Sequence, residues 1–200
     1  MKKTLIVGGV ILVIVIALYQ FFAGTYNKLV DRDVQVQTSW SQVENVYQRR
    51  LDLIPNLVST VKEAADFEKS TLTAVIEARA NATQVKIDPK NLTAEQMTKF
   101  QEAQGQLGSA LGRLMVVVEQ YPQLKANQNF LELQSQLEGT ENRIAVERQK
   151  FNEAVQLFNS YVRKFPQVTI AGIYGFSAKP FFEADKGANK APDVGAAFDK

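Results

Sequence analysis

The amino-acid sequence predicts an all-α protein in which an N-terminal transmembrane helix is followed by an antiparallel bundle of three to four long helices. The first observation is an uncharged apolar run from Leu5 to Ala23, and the second is the recurrence of apolar residues every three or four positions after it. The third is that Pro89, Pro122 and Pro166 each follow the end of such a periodic run. Strands would alternate apolar and polar residues, and these runs do not.

The N-terminal segment is long enough to cross a bilayer. Its nineteen residues from Leu5 to Ala23 carry no charge. At about 1.5 Å of helix rise per residue they span roughly 28 Å, close to the thickness of the hydrocarbon core. Aromatic residues gather at its C-terminal end, where amphipathic rings favour the headgroup region. We assign residues 1–27 to an N-terminal tail and membrane anchor, whose membrane-embedded side chains are Leu5, Ile6, Val7, Val10, Ile11, Leu12, Val13, Ile14, Val15, Ile16, Leu18, Phe21 and Phe22.

A cleaved secretory signal is the competing interpretation of this segment, because Lys2 and Lys3 before an apolar run are typical of one. Cleavage after Ala23 would place the bulky Phe21 at a position that requires a small residue. The sequence therefore favours an anchor that is not cleaved.

The first rod of the body begins near Trp40 and shows helical spacing over nearly forty residues. Pro55 lies inside it and removes one backbone hydrogen bond, so we expect a kink near Ile54. The rod should end before Asp88-Pro89, because the residue ahead of a proline is pushed out of the helical region.

A second helix is predicted to start at Thr93, whose hydroxyl can pair with Gln96 in a capping box, and to end at Tyr121-Pro122. The glycines in its middle permit either close approach of a neighbouring backbone or a merely weak helix, and the sequence leaves both open. Its inner stripe is Met97, Phe100, Leu107, Leu111, Leu114 and Val118, and the glycines are Gly105, Gly108 and Gly112.

The third helix has the most regular pattern and is closed by Pro166. Three long helices cannot bury their stripes separately, so residues 28–166 are predicted to form an antiparallel bundle, with the first rod bent or divided at Pro55 into two segments. An apolar segment over 167–183 is expected to lie extended along the bundle, and 184–200 to form a flexible tail. The third stripe is Phe130, Leu133, Leu137, Glu141, Ile144, Arg148, Phe151, Val155, Phe158, Val162 and Phe165.

Several charged residues fall on or beside the inner stripes. Buried without partners they would cost several kcal/mol each, so we expect a buried polar network that fixes the register of the helices. A catalytic carboxylate pair is the alternative, but it requires a cleft and a matched acid and base. The candidate residues of the network are Arg50, Asp52, Glu68, Glu141 and Arg148.

Composition excludes several classes of function. The chain has no Cys and no His, which removes disulfides, the usual zinc and iron sites, thiol nucleophiles and histidine-based triads. Beyond the two N-terminal lysines the charges balance, so there is no basic surface of the kind that binds nucleic acid. We expect no enzymatic activity, no cofactor, no metal and no nucleic-acid partner.

With the elements in place, several stretches resemble the LemA family of bacterial envelope proteins. The resemblance covers about Tyr26 to Glu183 and is carried by the runs Trp40-Ser-Gln-Val-Glu-Asn-Val-Tyr-Gln-Arg-Arg-Leu-Asp-Leu-Ile-Pro-Asn-Leu-Val58, Glu77-Ala-Arg-Ala80, Gly112-Arg-Leu-Met-Val-Val-Val-Glu-Gln-Tyr-Pro-Gln-Leu-Lys-Ala-Asn127 and Lys179-Pro-Phe-Phe-Glu183. It implies a membrane anchor followed by an antiparallel bundle, without an established activity, cofactor or active site. It also implies roles in the envelope and in membrane organisation.

These observations predict a protein of the bacterial cytoplasmic (inner) membrane that crosses it once. Because Lys2, Lys3 and the N-terminal amine outweigh Lys28 and Arg32 by one positive charge, the N-terminus is expected in the cytoplasm and the bundle outside, in the periplasmic or extracellular space.

Two functions remain open. The first is a non-enzymatic scaffold that forms homo-oligomers and organises the envelope or its membranes. The second is an adaptor that binds one envelope protein, such as a protease or stress-regulatory partner, through the bundle or the C-terminal segment.

Overall fold

The computed structural model describes residues 2–63 and 67–183. All regular secondary structure in these residues is helical, which confirms the all-α prediction. The six helices are α1 (Lys2–Lys62), α2 (Lys69–Gln84), α3 (Ala94–Val118), α4 (Pro122–Lys125), α5 (Gln128–Arg163) and α6 (Gln167–Tyr174). The tail predicted over 184–200 lies outside the described residues.

Helix α1 serves both the membrane and the bundle. It has 61 residues, which corresponds to a length of about 90 Å. The predicted division between an anchor (1–27) and a bundle (28–166) does not interrupt its backbone. Its apolar N-terminal part is exposed, whereas from Thr25 onward one side is buried by the rest of the chain.

The other helices form an up-down-up-down bundle with the second half of α1. Helix α2 folds back along α1, and α3 runs parallel to α1, so that Trp40 contacts Phe100 and Arg50 contacts Gln104. Helix α5 returns antiparallel to α1 along most of its length, which places Arg32 beside Leu157 and Arg50 beside Glu141. Four helices therefore share one elongated core, and the short α4 makes the turn between α3 and α5.

The first rod is divided at a different place from the one predicted. Helix α1 continues through Pro55 to Lys62, and α2 begins at Lys69, so the prediction of a division at Pro55 is wrong. The bundle nevertheless contains four long helical segments, which is the number predicted: the second part of α1, and α2, α3 and α5.

A side chain of α2 compensates for Pro55. Proline has no N–H, so the carbonyl of Leu51, four residues earlier, lacks its helical donor. The Nε–H of Arg79 donates to this carbonyl at 2.8 Å from the neighbouring helix. Leu51 is buried, and an unsatisfied carbonyl there would cost about 1–3 kcal/mol. The carbonyl that Pro55 leaves free therefore forms a hydrogen bond between α1 and α2.

Helix α3 starts and packs as predicted. The Oγ1 of Thr93 accepts from the backbone N–H of Gln96 at 3.2 Å, and the Gln96 side chain accepts from the N–H of Thr93 at 3.1 Å, which completes the capping box. All six residues of the predicted stripe are buried. The close-approach interpretation of the glycines is wrong, because a Cβ on Gly105, Gly108 or Gly112 would meet no other atom within 4 Å.

The C-terminal apolar segment is partly helical, and not extended throughout as predicted. Helix α6 ends at Tyr174, and the φ of 77° at the following Gly175 is the left-handed conformation that glycine adopts without strain. Only the residues after it are extended, and they pack on the bundle. Phe165 is 85% exposed and not part of the core, because α5 ends at Arg163 and the helical face is lost before Phe165.

The compensation of Pro55 by Arg79 predicts a specific mutational coupling. Arg79→Met should lower the free energy of unfolding by about 1–3 kcal/mol, since the Leu51 carbonyl loses its donor. In a Pro55→Ala background the helix supplies its own N–H, so Arg79→Met should then cost clearly less. Denaturant unfolding of the four proteins in detergent, followed by circular dichroism, measures this double-mutant cycle. Equal costs in both backgrounds would contradict the assignment.

Candidate functional site

The bundle core consists of two apolar clusters separated by a polar layer. The distal cluster surrounds the end of α1 and all of α2, and includes Ile54, Val61, Val75, Leu107, Leu114 and Leu137. The membrane-proximal cluster is richer in aromatic residues, and includes Trp40, Phe100, Phe151, Phe158, Ile170 and Phe182. Arg50, Gln104 and Glu141 lie at the level between them, and we call these three residues the polar layer.

Arg50 is the centre of the polar layer and is only 3% exposed. Its guanidinium donates to the carboxylate of Glu141 on α5 at 2.5 Å, and to both the side-chain and backbone oxygens of Gln104 on α3. The guanidinium also lies over the ring of Tyr47, 5.1 Å from its centroid. One buried charge on α1 thus contacts both α3 and α5, and a shift of any of these three helices by one turn would leave it without these partners.

The other predicted members of the network lie elsewhere. Asp52 accepts a hydrogen bond from Gln48 at 2.7 Å on the exposed side of α1. Glu68 precedes α2 and accepts from the hydroxyl of Ser70. Arg148 lies over the ring of Phe182 and donates to the carbonyl of Glu183 at 2.8 Å. Of the five candidate residues, the structure therefore pairs Arg50 with Glu141.

A second polar constellation holds the extended residues 176–183, which we call the strap. Asn159 on α5 donates to the carbonyl of Lys179 and accepts from its N–H, both at 2.8 Å. Asn152 makes the same pair of bonds with Phe182, at 3.1 and 2.8 Å. Seven residues of helix span about 10.5 Å and three residues of extended chain about 10 Å, so the two spacings match.

Lys179 anchors the middle of the strap inside the bundle. Its side chain is 7% exposed, and its ammonium lies 2.8 Å from a carboxylate oxygen of Asp33 on α1. It also donates to the carbonyls of Pro89 and Lys90, at 3.2 and 3.4 Å, in the loop between α2 and α3. This buried charge is paired and hydrogen-bonded, which offsets the cost of its desolvation.

The end of the strap completes the membrane-proximal core. The ring of Phe182 stacks on Trp40 at 5.9 Å and contacts Phe151 at 5.4 Å between centroids. The carbonyl of Glu183 accepts from Gln101 on α3 as well as from Arg148. The strap therefore ties α5 to α1, to α3 and to the loop before α3.

The four residues that hold the strap are not among the residues predicted from the sequence: Asp33, Asn152, Asn159 and Lys179. A signal was present, because Asn152 and Asn159 are seven residues apart and follow Phe151 and Phe158 of the third stripe directly. An amide side chain can donate and accept at once, so it can bind the N–H and carbonyl of an adjacent extended chain. That the partner is residues 176–183 of the same chain could be seen only in the structure.

An open groove runs between α3 and α5 beside the polar layer. Its main part has a volume of about 870 Å³ and is lined by three arginines and three glutamates among amides and small residues. A smaller extension of about 310 Å³ continues toward the distal end and shares Gly108 and Glu141 with it. The glycines of α3 face this groove, including Gly105, Gly108 and Gly112.

Two of the arginines that line the groove donate hydrogen bonds within the protein, Arg50 to Glu141 and Arg148 to the carbonyl of Glu183. Arginine stays protonated and cannot act as a base, and the carboxylate of Glu141 is held by Arg50. Near the start of α3, the N–H of Lys90 and the amide of Asn91 lower the pKa of Asp88, and the hydrogen bond with the Lys99 ammonium lowers the pKa of Glu95. In residues 2–63 and 67–183 no cluster of three or more acidic side chains is placed to hold a metal ion.

The predicted anchor residues are all exposed, from 43% for Phe21 to 75% for Leu5. The most apolar 18-residue window of α1 has a mean hydropathy of 2.7, and none of it is buried by the rest of the chain. A helix of this length and composition can cross a membrane, and its exposed apolar surface would be unfavourable in water.

The polar layer predicts a large difference between single and double substitutions. Glu141→Ala should destabilise the protein by up to about 3 kcal/mol, because Arg50 stays buried with its main counter-charge removed. In the double variant Arg50→Met with Glu141→Ala the charge is gone as well, and stability should return toward that of the wild type. Thermal unfolding in detergent distinguishes these cases, and a double variant at least as unstable as Glu141→Ala would contradict the prediction.

The strap predicts a local change in hydrogen exchange. Asn159→Leu removes the acceptor of the Lys179 N–H and the donor to its carbonyl, so the amides of residues 179, 181 and 182 should exchange much faster. Asn142→Leu, on the exposed side of the same helix, is the matched control and should leave them unchanged. Hydrogen exchange with mass spectrometry checks this, and unchanged protection in Asn159→Leu would mean that the strap is held by other contacts.

Comparison with known proteins gives similarity over most of the chain. The model of the LemA family matches residues 39–195. Magnetosome proteins MamQ 2 and MamQ 1 of Paramagnetospirillum magneticum are each 30% identical over 186 residues, covering 84% of this chain and 68% of theirs. Protein LemA of Metamycoplasma hominis is 24% identical over 147 residues, covering 74% of this chain and 64% of that protein.

Proposed function

Because the chain belongs to the LemA family and carries an exposed apolar helix at its N-terminus, we propose that it is a membrane-anchored, non-enzymatic scaffold that self-associates and organises the bacterial envelope or its membranes. The observation that carries this proposal is the continuity of α1, which passes from the apolar anchor into the bundle without a linker. The similarity to magnetosome proteins supports a role connected with membranes.

The continuity of α1 favours a scaffold over a tethered enzyme. A flexible linker would let the bundle reach substrates in many directions, whereas a helix holds it at one height above the bilayer. Every copy then presents the same faces laterally at the same level. Confinement to a membrane raises the effective concentration, so even a weak contact between such faces can produce assemblies.

The surface of the bundle is suited to contacts between like molecules. The chain has 29 Asn and Gln residues, and amides can hydrogen-bond to one another without charge repulsion. The residues from Lys28 onward have balanced charge, so two copies do not repel each other strongly. The same balance is found in the groove between α3 and α5, with its three arginines and three glutamates.

Cysteine cross-linking in native membranes tests self-association. The chain has no native Cys, so single cysteines can replace exposed apolar residues on different helices: Ile76 on α2, Val116 on α3 and Val146 on α5. At least one of these variants should give a cross-linked homodimer in membranes, and a tenfold excess of Cys-free protein in the same membranes should reduce it. Absence of homodimers from all three, together with elution as a monomer in mild detergent, would overturn self-association.

The same variants test the proposed orientation. If the bundle lies outside the cytoplasm, a membrane-impermeant thiol reagent should label Val116→Cys in intact cells stripped of any outer membrane. Labelling only after lysis would place the bundle in the cytoplasm.

The groove favours an adaptor as the second candidate function. It is open, it lies beside the point where the strap ends at Glu183, and its volume of about 870 Å³ is sufficient for several side chains of a partner. An envelope protease or stress-regulatory protein is the kind of partner proposed. Gly108→Leu would project a bulky side chain into the groove, and no atom lies within 4 Å of the added Cβ. Loss of the partner on affinity capture of Gly108→Leu, but not of a chain lacking residues 184–200, would assign binding to the groove.

A further inference from the structure

The membrane-proximal end of the bundle carries an exposed apolar face that the proposed function does not use. The stretch from Phe165 to Ala178 contains no charged residue and includes all of α6. Five large side chains in it or beside it are exposed, and we call them the interfacial face: Phe165 85%, Val168 46%, Ile173 67%, Tyr174 57% and, on α1, Tyr26 38%.

Helix α6 is apolar on two sides. Ile170 and Ala171 are buried against the bundle, while Val168 and Ile173 point away from it. A helix on the surface of a soluble domain normally turns polar residues to water, so apolar side chains on the outer side indicate a second apolar environment.

The position of Tyr26 sets the depth of this face relative to the bilayer. Tyr26 follows the end of the uncharged run at Ala23 by three residues, or about 4.5 Å along α1. Its ring contacts the ring of Tyr174 with 4.7 Å between centroids. Each headgroup region is roughly 5–7 Å thick, taking a core of about 30 Å from a bilayer of about 40–45 Å. Both tyrosines therefore lie at headgroup depth, where such rings are favoured.

The alignment of α5 against α1 places the C-terminal end of α5 at the same depth as Tyr26. Arg32 on α1 donates to the carbonyl of Leu157 on α5 at 3.4 Å. From Leu157 the last six residues of α5 advance about 9 Å toward the anchor, which corresponds to the level of Tyr26. Arg163 and Lys164 are exposed at this end, directly before Phe165, and their charges suit the phosphates of anionic lipids.

We propose that Phe165 and the outer side of α6 form a second contact with the bilayer that α1 crosses. Val168 and Ile173 enter the boundary between headgroups and acyl chains, and Arg163 and Lys164 lie at the phosphates. The occupant of the face is lipid, because the face is continuous with the membrane anchor through Tyr26 and lies at headgroup depth. With two points of attachment the bundle keeps one tilt and one rotation relative to the membrane. This contact does not require self-association.

Spin labels on the full-length chain test the contact. Phe165→Cys and Ile173→Cys are reconstituted in vesicles of phosphatidylethanolamine and phosphatidylglycerol, and Val116→Cys is the control, since Val116 is 69% exposed at the far end of α3. The measurement is the collision rate of each label with lipid-soluble oxygen and with a water-soluble nickel complex. The ratio of oxygen to nickel collisions should be several-fold higher at residues 165 and 173 than at residue 116.

Two results would overturn the proposal. In the first, labels at 165 and 173 collide with the nickel complex as often as the label at 116, which places the face in water. In the second, dipolar broadening at 173 disappears on dilution with unlabelled protein, which makes the face a contact between copies. Circular dichroism verifies the fold of each variant, and Val168→Cys replaces Ile173→Cys if the latter does not fold.

Discussion

The structure depends on one constraint: a single uninterrupted helix must satisfy two different surroundings. Over its first third α1 is apolar on every side and has no protein around it, and over the rest it is apolar along one stripe that other helices cover. Because the backbone hydrogen bonds continue from one part to the other, the bundle cannot move independently of the anchor. The arrangement of α2, α3 and α5 around the second part then fixes where each surface of the bundle lies relative to the membrane.

The polar interactions inside the bundle follow from the same constraint. A long rod with apolar stripes can slide against its neighbours by a turn with little loss of apolar contact, so hydrophobic burial alone specifies register weakly. Arg50 with Glu141, and Lys179 with Asp33, form pairs that satisfy buried charges in one register only. Arg79 does the same for the free carbonyl opposite Pro55. Each of these contacts joins α1 to a different part of the chain.

The strap and α6 give the C-terminal part of the chain a structural purpose. After α5 the chain turns at the membrane-proximal end, and it then runs back along the bundle through two asparagine pairs. Its aromatic residue Phe182 fills the core beside Trp40, while the residues of α6 stay at the end nearest the anchor. The continuous α1, the bundle built on its second part and the proposed second attachment are the features on which the proposed scaffold role rests.

The sequence by itself determined the helical class, the apolar N-terminal helix that is long enough to cross a membrane, and the start and stripe of α3. These follow from local rules, because length, charge and a period of 3.6 residues act within one segment of chain. Only the tertiary structure decided that α1 continues through Pro55, that Arg148 holds the strap and that the glycines of α3 face an open groove. The physical reason is the same in each case: the group that makes the contact is distant in sequence, as Arg79 is from the carbonyl of Leu51. A local sequence pattern does not show which distant group will lie beside a given residue in the folded protein.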